Sequence, residues 1–127
     1  VRRIIESNLP KICSNCKFEI RWSQKEFGTF GRNWAFDTMI AAHVLDCRPE
    51  ISSIKFQAFV CLGVDLWDEE VKGYFDSKGS NELNRIHEMD LERLLFYGAL
   101  DALYEQKVAL IQAKKLGIVL GQNPERS

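Results

Sequence analysis

The run of residues 89–104, which continues in helical pattern to residue 111, constrains the fold most, because it is the longest helix-patterned stretch of the chain. Tyr97 and Asp101 are four positions apart in it, so on a helix a phenol and a carboxylate share one face, one turn apart. The neighbours of that carboxylate in the sequence are apolar: Leu100, Ala102 and Leu103. A desolvated carboxylate needs a partner, which would be a helix N-terminus, a base or a metal ion.

Size and composition describe an ordinary globular domain. The 127 residues are enough for one domain with its own core, and 46% of them are apolar and 28% charged. With a net charge of -1, the chain has no overall basic field, so a nucleic acid would bind through a local site. No apolar run approaches the roughly 20 residues of a membrane span, and we expect no membrane partner. Four cysteines without disulfide-like density indicate a reducing cytoplasm.

In the first part of the chain, apolar periodicity and capping residues predict short elements. We expect an amphipathic helix over residues 1–8, a short buried strand over 11–15 and a helix from residue 17 to Gly28. Residues 29–34 are predicted to form a loop. A helix over residues 36–45 follows, with Asp37 or Thr38 as its N-cap.

The second part is predicted to be helical around one charged segment. A helix over residues 54–62 is closed by Gly63. Residues 65–80 are expected to form a mobile surface segment with partial helix. Residues 82–116 are predicted to be helical, broken near Asp90 and ended by Gly117, and residues 121–127 are expected to be frayed.

Cys13 and Cys16 form a C-x-x-C motif at the end of a predicted strand and the start of a helix. Three interpretations are open: ordinary core cysteines, a thioredoxin-like redox pair, or part of a zinc site. The later chain is helical where a thioredoxin-like fold needs further strands. His43 and His87 have no partner in the sequence and are interpreted as ordinary histidines.

Two acidic residues each have a structural and a functional interpretation. Glu19 is either a first-turn glutamate favoured by the helix dipole or an acidic metal ligand at the mouth of the strand. Asp101 is either the N-cap of a new helix over residues 102–115, with Tyr97 in the core, or part of a site.

Three motifs occur in order, and together they resemble a known family. They are Asn15-Cys16-Lys17-Phe18-Glu19, then Phe36-Asp37-Thr38-Met39, then Tyr97-Gly98-Ala99-Leu100-Asp101. The chain resembles, from about residue 1 to about residue 116, the 3′–5′ proofreading exonuclease domain of family A DNA polymerases, the DNA polymerase I type and particularly its phage versions. Tyrosine in the last motif indicates the tyrosine subclass of the DEDD superfamily. The resemblance implies a ribonuclease H-like α/β fold.

The resemblance also implies roles for individual residues and a two-metal hydrolysis. Asp101 would bind the metal ion that activates water, and Glu19 would hold a second ion of Mg²⁺ or Mn²⁺. Tyr97 would orient the attacking water. Asn15 and Phe18 would position the terminal nucleotides of a single-stranded DNA 3′ end.

The chain departs from the family pattern in two ways. Glu19 stands where the polymerase I type usually has aspartate, and the first motif, an Asp-x-Glu on an opening strand, would precede Val1. We therefore expect residues 1–127 to be the C-terminal two-thirds of the domain, truncated at the N-terminus, mostly helical with few strands, and with little activity alone. A polymerase domain of the same parent chain would be its partner, in the cytoplasm of a bacterial cell or phage-infected host.

Two other functions remain as alternatives. The chain could be a non-catalytic nucleic-acid-binding or structural domain that kept the fold. It could instead be a thiol oxidoreductase that uses Cys13 and Cys16.

Overall fold

Helices dominate the computed structural model, which describes residues 1–77, 79 and 82–120. The elements in chain order are α1 (Arg2–Ile5), β1 (Lys11–Cys13), α2 (Cys16–Phe27), β2 (Trp34–Asp37), α3 (Thr38–Leu45), α4 (Ile54–Leu62), α5 (Lys72–Phe75), a 3₁₀ turn (Ile86–Glu88) and α6 (Leu91–Leu116). A mostly helical chain with few strands was the expectation, and it is confirmed. None of the helices in the described ranges combines the length and apolar character that crossing a bilayer requires.

The two strands form a small parallel sheet, with α2 as the connection between them. Ile12 pairs with Phe36 and Cys13 with Asp37, after an irregularity in the register at the start of β1. Parallel strands need a crossover of this length, and an α-helix is its usual form. The carboxyl ends of β1 and β2 therefore lie side by side, and both α2 and α3 start at that edge.

The C-terminal half of α6 forms the centre of the core. Val108 and Ala109 are fully buried there, and Ala113 is nearly so. Phe36 of β2 and Ala41 of α3 pack against them.

A buried amide ties α6 to its two neighbouring helices. Gln112 is only 1% exposed, and its Nε2 donates to Thr38 O at 3.2 Å and to Gln57 Oε1 at 3.3 Å. These two bonds fix α6 against the start of α3 and the middle of α4, while Gln112 Oε1 is buried without a hydrogen-bond partner among the described residues.

Helices α3, α4 and α6 begin or end at capping residues. Asp37 caps α3, Ser53 caps α4 and Asp90 caps α6, each by accepting backbone N–H groups. Gly63 and Gly117 end α4 and α6 with φ of 66° and 69°, the left-handed conformation that glycine adopts without strain. The predicted helix over 54–62, the break at Asp90 and the stop at Gly117 are thus confirmed.

Three predicted elements differ from the structure. The helix over residues 36–45 begins only at Thr38, because Trp34–Asp37 is strand β2 and pairs with β1. The predicted helix over 1–8 is limited to Arg2–Ile5, which buries no residue and so has little packing to stabilise it. In the predicted helix over 82–116, the residues before Asp90 form only the 3₁₀ turn. Residues 121–127 lie outside the described part of the chain.

Candidate functional site

Tyr97 and Asp101 lie on one face of α6, which runs without a break from Leu91 to Leu116. Asp101 is therefore a mid-helix residue, and the interpretation of it as the N-cap of a new helix is wrong. Its partner is the indole of Trp67, whose Nε1 donates to Asp101 Oδ1 at 2.7 Å. This partner is neither a helix N-terminus, nor a base, nor a metal ion.

The segment between α4 and the 3₁₀ turn packs over the Tyr97 side of this face. The Phe75 ring lies 5.4 Å from the Tyr97 ring, centroid to centroid, and Lys55 Nζ lies 5.7 Å from the Tyr97 centroid. Asp68 forms an ion pair with Lys55. The expected partial helix of this segment is present as α5, and Val71 just before it is buried.

The ionisation of Tyr97 favours the protonated phenol. Burial raises the pKa of Tyr97, and the nearby carboxylate of Asp101 raises it further, while Lys55 opposes both. Tyr97 therefore keeps its phenolic proton.

The start of α2 carries the other three predicted site residues. Asn15 is its N-cap in the left-handed conformation, with φ of 61°. Its backbone N–H donates to Asp37 Oδ1 at 3.1 Å, so the end of β2 holds the turn in place. Glu19 is the acidic residue of the first turn, and the exposed side chain of Phe18 (54% exposed) packs edge-to-face on Trp22 at 6.1 Å between ring centroids.

Glu105 lies one turn beyond Asp101 on α6 and contacts the start of α3. It accepts a hydrogen bond from Thr38 Oγ1 at the start of α3. Burial raises the pKa of the Glu105 carboxyl, and the charges of Asp37, Asp101 and Glu19 raise it further.

The carboxylates have the chemistry of a magnesium or manganese site, but they do not complete one. Oxygen ligands suit Mg²⁺ and Mn²⁺. Among the described residues, however, no three acidic, histidine or cysteine side chains are grouped to hold an ion. The oxygens of Asp37 already accept backbone N–H groups, and one oxygen of Asp101 accepts the Trp67 indole. The structure thus supplies ligands of the right type without a full coordination shell.

The C-x-x-C motif lies at the end of β1 and the start of α2, as predicted. The structure joins Cys13 and Cys16 in a disulfide, and Cys13 is buried, as the interpretation of a core cysteine predicts. Cys47 and Cys61 are free thiols. His43 and His87 are both exposed, and no metal group forms around any of these residues in the described ranges.

Sequence reasoning missed two residues that contact the predicted site, Lys55 and Trp67. It also missed Glu105, which lies one turn beyond Asp101 on α6. The sequence could have indicated Glu105, because Tyr97, Asp101 and Glu105 follow one another at four-residue spacing and so share one helix face. Nothing in the sequence indicated Lys55 and Trp67, because they contact α6 through tertiary packing alone.

Replacing Glu105 with glutamine is expected to stabilise the protein increasingly as the pH rises. Because the folded chain raises the pKa of Glu105 above its ordinary value of 4.5, the stability it contributes is present below that value and is lost as the pH rises through the raised pKa. Glutamine has no proton to lose and can still accept from Thr38. Urea unfolding of both proteins at about pH 4.5 and about pH 7 measures the difference.

The matched control is Glu26→Gln at an exposed position of α2. Its effect on the free energy of unfolding should be the same at both pH values. A pH-independent difference between the wild type and Glu105→Gln would show that the burial of Glu105 is not coupled to its ionisation.

Comparison with known proteins gives one match. A family model described as 3′–5′ exonuclease matches residues 1–116, which is most of the chain. No curated protein and no solved structure matches the chain.

Proposed function

The chain belongs to the family of 3′–5′ exonuclease domains of the DNA polymerase A type, and from that premise we propose that it removes nucleotides from the 3′ end of single-stranded DNA. In this proposal it has the ribonuclease H-like fold of the tyrosine subclass. It serves a family A DNA polymerase, of phage type, by proofreading during replication.

The observation that carries the proposal is the match of the exonuclease family model to residues 1–116, which include Glu19 and Asp101. The two carboxylates come from different helices, yet both act on the ionisation of Glu105. In a neighbourhood of acidic groups such as this, a divalent ion would offset the repulsion that adds to the effect of burial on the Glu105 pKa. A nuclease that uses two ions needs ligands in such a neighbourhood.

In the proposed reaction each residue has a separate task. Asp101 and Glu19 would hold the divalent ions, Mg²⁺ or Mn²⁺, which would supply Lewis-acid activation of water and neutralise the phosphate charge. Tyr97, kept protonated by burial, donates a hydrogen bond that orients the attacking water. The chain has no overall basic field, which agrees with these roles, because bound ions rather than lysine side chains would offset the phosphate charge.

The start of α2 is the proposed contact with the terminal nucleotides. The exposed Phe18 ring offers a stacking surface for a base, a contact worth about 1–3 kcal/mol in single-strand binding. Asn15, also exposed, offers an amide next to that ring. Stacking is tolerant of sequence, which suits an enzyme that must remove any mispaired nucleotide.

The 127-residue chain alone is expected to digest DNA slowly, if at all, because its described acidic residues are not grouped to hold an ion. The measurement is the shortening of a 5′-labelled single-stranded oligonucleotide with Mg²⁺. Robust digestion that disappears in Asp101→Ala would contradict this expectation, and it would support the assignment of Asp101.

The incomplete coordination shell also favours a second candidate, a nucleic-acid-binding domain without catalysis. Such a domain would bind single-stranded DNA equally well with and without Mn²⁺. Calorimetry separates the two functions, since only the nuclease requires an ion whose binding depends on Asp101 and Glu19.

A further inference from the structure

The exposed face of α2 carries a row of cations beside a pair of aromatic rings. Lys17, Arg21 and Lys25 are four residues apart, so they follow one another along the same side of the helix. Phe18 and Trp22 each come one residue after a cation of this row, about 100° further round the helix axis. All five residues are exposed. We call these five residues the α2 strip.

The strip is one continuous surface. The rings of Phe18 and Trp22 pack edge-to-face, 6.1 Å apart between centroids, and Lys25 Nζ lies 4.7 Å from the Trp22 centroid. A cation at this distance is attracted to the negative face of an aromatic ring. Because Phe18 is 54% and Trp22 42% exposed, ring surface remains open to a ligand beside the cations.

The cations of the strip are not neutralised by neighbouring acids. Within the described ranges, the ion pairs of the chain involve none of Lys17, Arg21 and Lys25. The acidic residues of α2 are Glu19 and Glu26, and both lie further round the axis, beyond the aromatic rings. The strip is therefore a local positive region on a chain whose net charge is -1.

Single-stranded nucleic acid is the ligand that this combination fits. Its phosphates attract cations, and its unpaired bases have flat faces that stack on aromatic side chains. A duplex keeps those faces inside its own stack, and an acidic peptide has no bases. Lys17 and Lys25 are about 12 Å apart along the axis, which is the length of about three or four stacked nucleotides.

We propose that the α2 strip binds the nucleotides that precede the 3′ terminus of a single strand. Their phosphates lie on Lys17, Arg21 and Lys25, and a base stacks on Trp22. This inference rests on the proposed function, in which Asn15 and Phe18 hold the terminal nucleotides. From there the strand continues along α2 toward Lys25, so the helix serves as a track for the strand.

The first test measures the binding of a 5′-fluorescein oligothymidylate by anisotropy, with a chelator present so that no strand is cut. The strip variant carries Lys17→Gln, Arg21→Gln and Lys25→Gln. The control variant makes the same change of charge at exposed positions of α6, with Lys107→Gln, Lys114→Gln and Lys115→Gln. The strip variant should bind more weakly, and its plot of log affinity against log salt should be flatter by about 2, since each phosphate contact on a single strand contributes about 0.7. The control variant should keep the wild-type slope.

The second test isolates the stacking. Trp22→Ala is expected to weaken binding of the same oligonucleotide about 5-fold or more, because a base–aromatic stack is lost. It should leave the weaker binding of a duplex unchanged, since paired bases are not available to the ring. Phe59→Ala, at an exposed aromatic residue of α4 (57% exposed), is the matched control and should bind as the wild type does.

The outcomes separate the inference from the proposed function. If Phe18→Ala weakens binding while the strip variant and Trp22→Ala keep wild-type affinity, the track is wrong and the contact with the terminal nucleotides stands. Equal losses in the strip and control variants would show that net charge alone sets the affinity, which overturns the inference.

Two further results would also contradict it. Wild-type affinity in Trp22→Ala, or displacement of the oligonucleotide by polyglutamate as readily as by unlabelled oligothymidylate, would mean that the strip attracts any polyanion and does not stack bases. If the wild-type chain binds no single strand, both the track and the contact proposed for Asn15 and Phe18 are wrong.

Discussion

Asp37→Ala is expected to lower the free energy of unfolding by about 1–4 kcal/mol, because one carboxylate caps two helices and each N-cap is worth about 0.5–2 kcal/mol. At α3 it accepts from the backbone N–H of Met39 at 3.0 Å and of Ile40 at 3.3 Å. At the start of α2 it accepts from Asn15 at 3.1 Å and from Cys16 at 2.8 Å. Alanine leaves all four donors without this acceptor.

Urea unfolding measures this loss, and two variants calibrate it. Asp37→Asn keeps one acceptor oxygen and should fall between the wild type and Asp37→Ala. Asp46→Ala removes a surface carboxylate paired with Arg48 at the end of α3, and exposed pairs contribute about 0–1 kcal/mol. An Asp37→Ala midpoint no lower than that of Asp46→Ala would contradict the double-cap description.

Asp101→Ala is expected to slow 3′-end digestion about 10³-fold or more in the natural protein that contains this domain. Loss of a charged ligand removes several kcal/mol of transition-state stabilisation, and each 1.36 kcal/mol is about tenfold in rate. The measurement is the single-turnover rate on a 5′-labelled single-stranded oligonucleotide.

Two further variants sharpen the interpretation of this rate. Glu92→Gln removes an exposed carboxylate from the first turn of the same helix and should digest at the wild-type rate. Glu19→Asp keeps the charge and shortens the reach, so it should retain far more activity than Glu19→Gln. Digestion by Asp101→Ala at the wild-type rate would remove Asp101 from the proposed site.

Local patterns predicted the helices whose ends are marked by capping residues. The limits of α4 and the end of α6 follow from Ser53, Gly63 and Gly117, because each satisfies its helix end within a few residues of sequence. The break before α6 follows from Asp90 for the same reason. The spacing of Tyr97 and Asp101 also predicted correctly that they share a helix face.

Tertiary contacts determine two features that the sequence did not indicate, strand β2 and the partner of Asp101. Strand β2 has only four residues, Trp34–Asp37, too few to show alternation, and it is a strand because it pairs with β1. The partner of Asp101 comes from a segment whose charged and aromatic composition predicted only a mobile surface. Since Trp67 supplies a hydrogen bond to Asp101, the carboxylate is tolerated in the middle of α6 and the helix needs no break there.

The direction of digestion tests the central claim, that this is a 3′–5′ exonuclease domain, most directly. The natural protein containing residues 1–127 is incubated with a 5′-labelled single-stranded oligonucleotide and Mg²⁺ or Mn²⁺, and the products are separated by length. We predict a ladder that shortens one nucleotide at a time from the 3′ end, requires the divalent ion and is lost in Asp101→Ala. Internal cuts, shortening from the 5′ end, or a ladder that persists in Asp101→Ala would contradict the account.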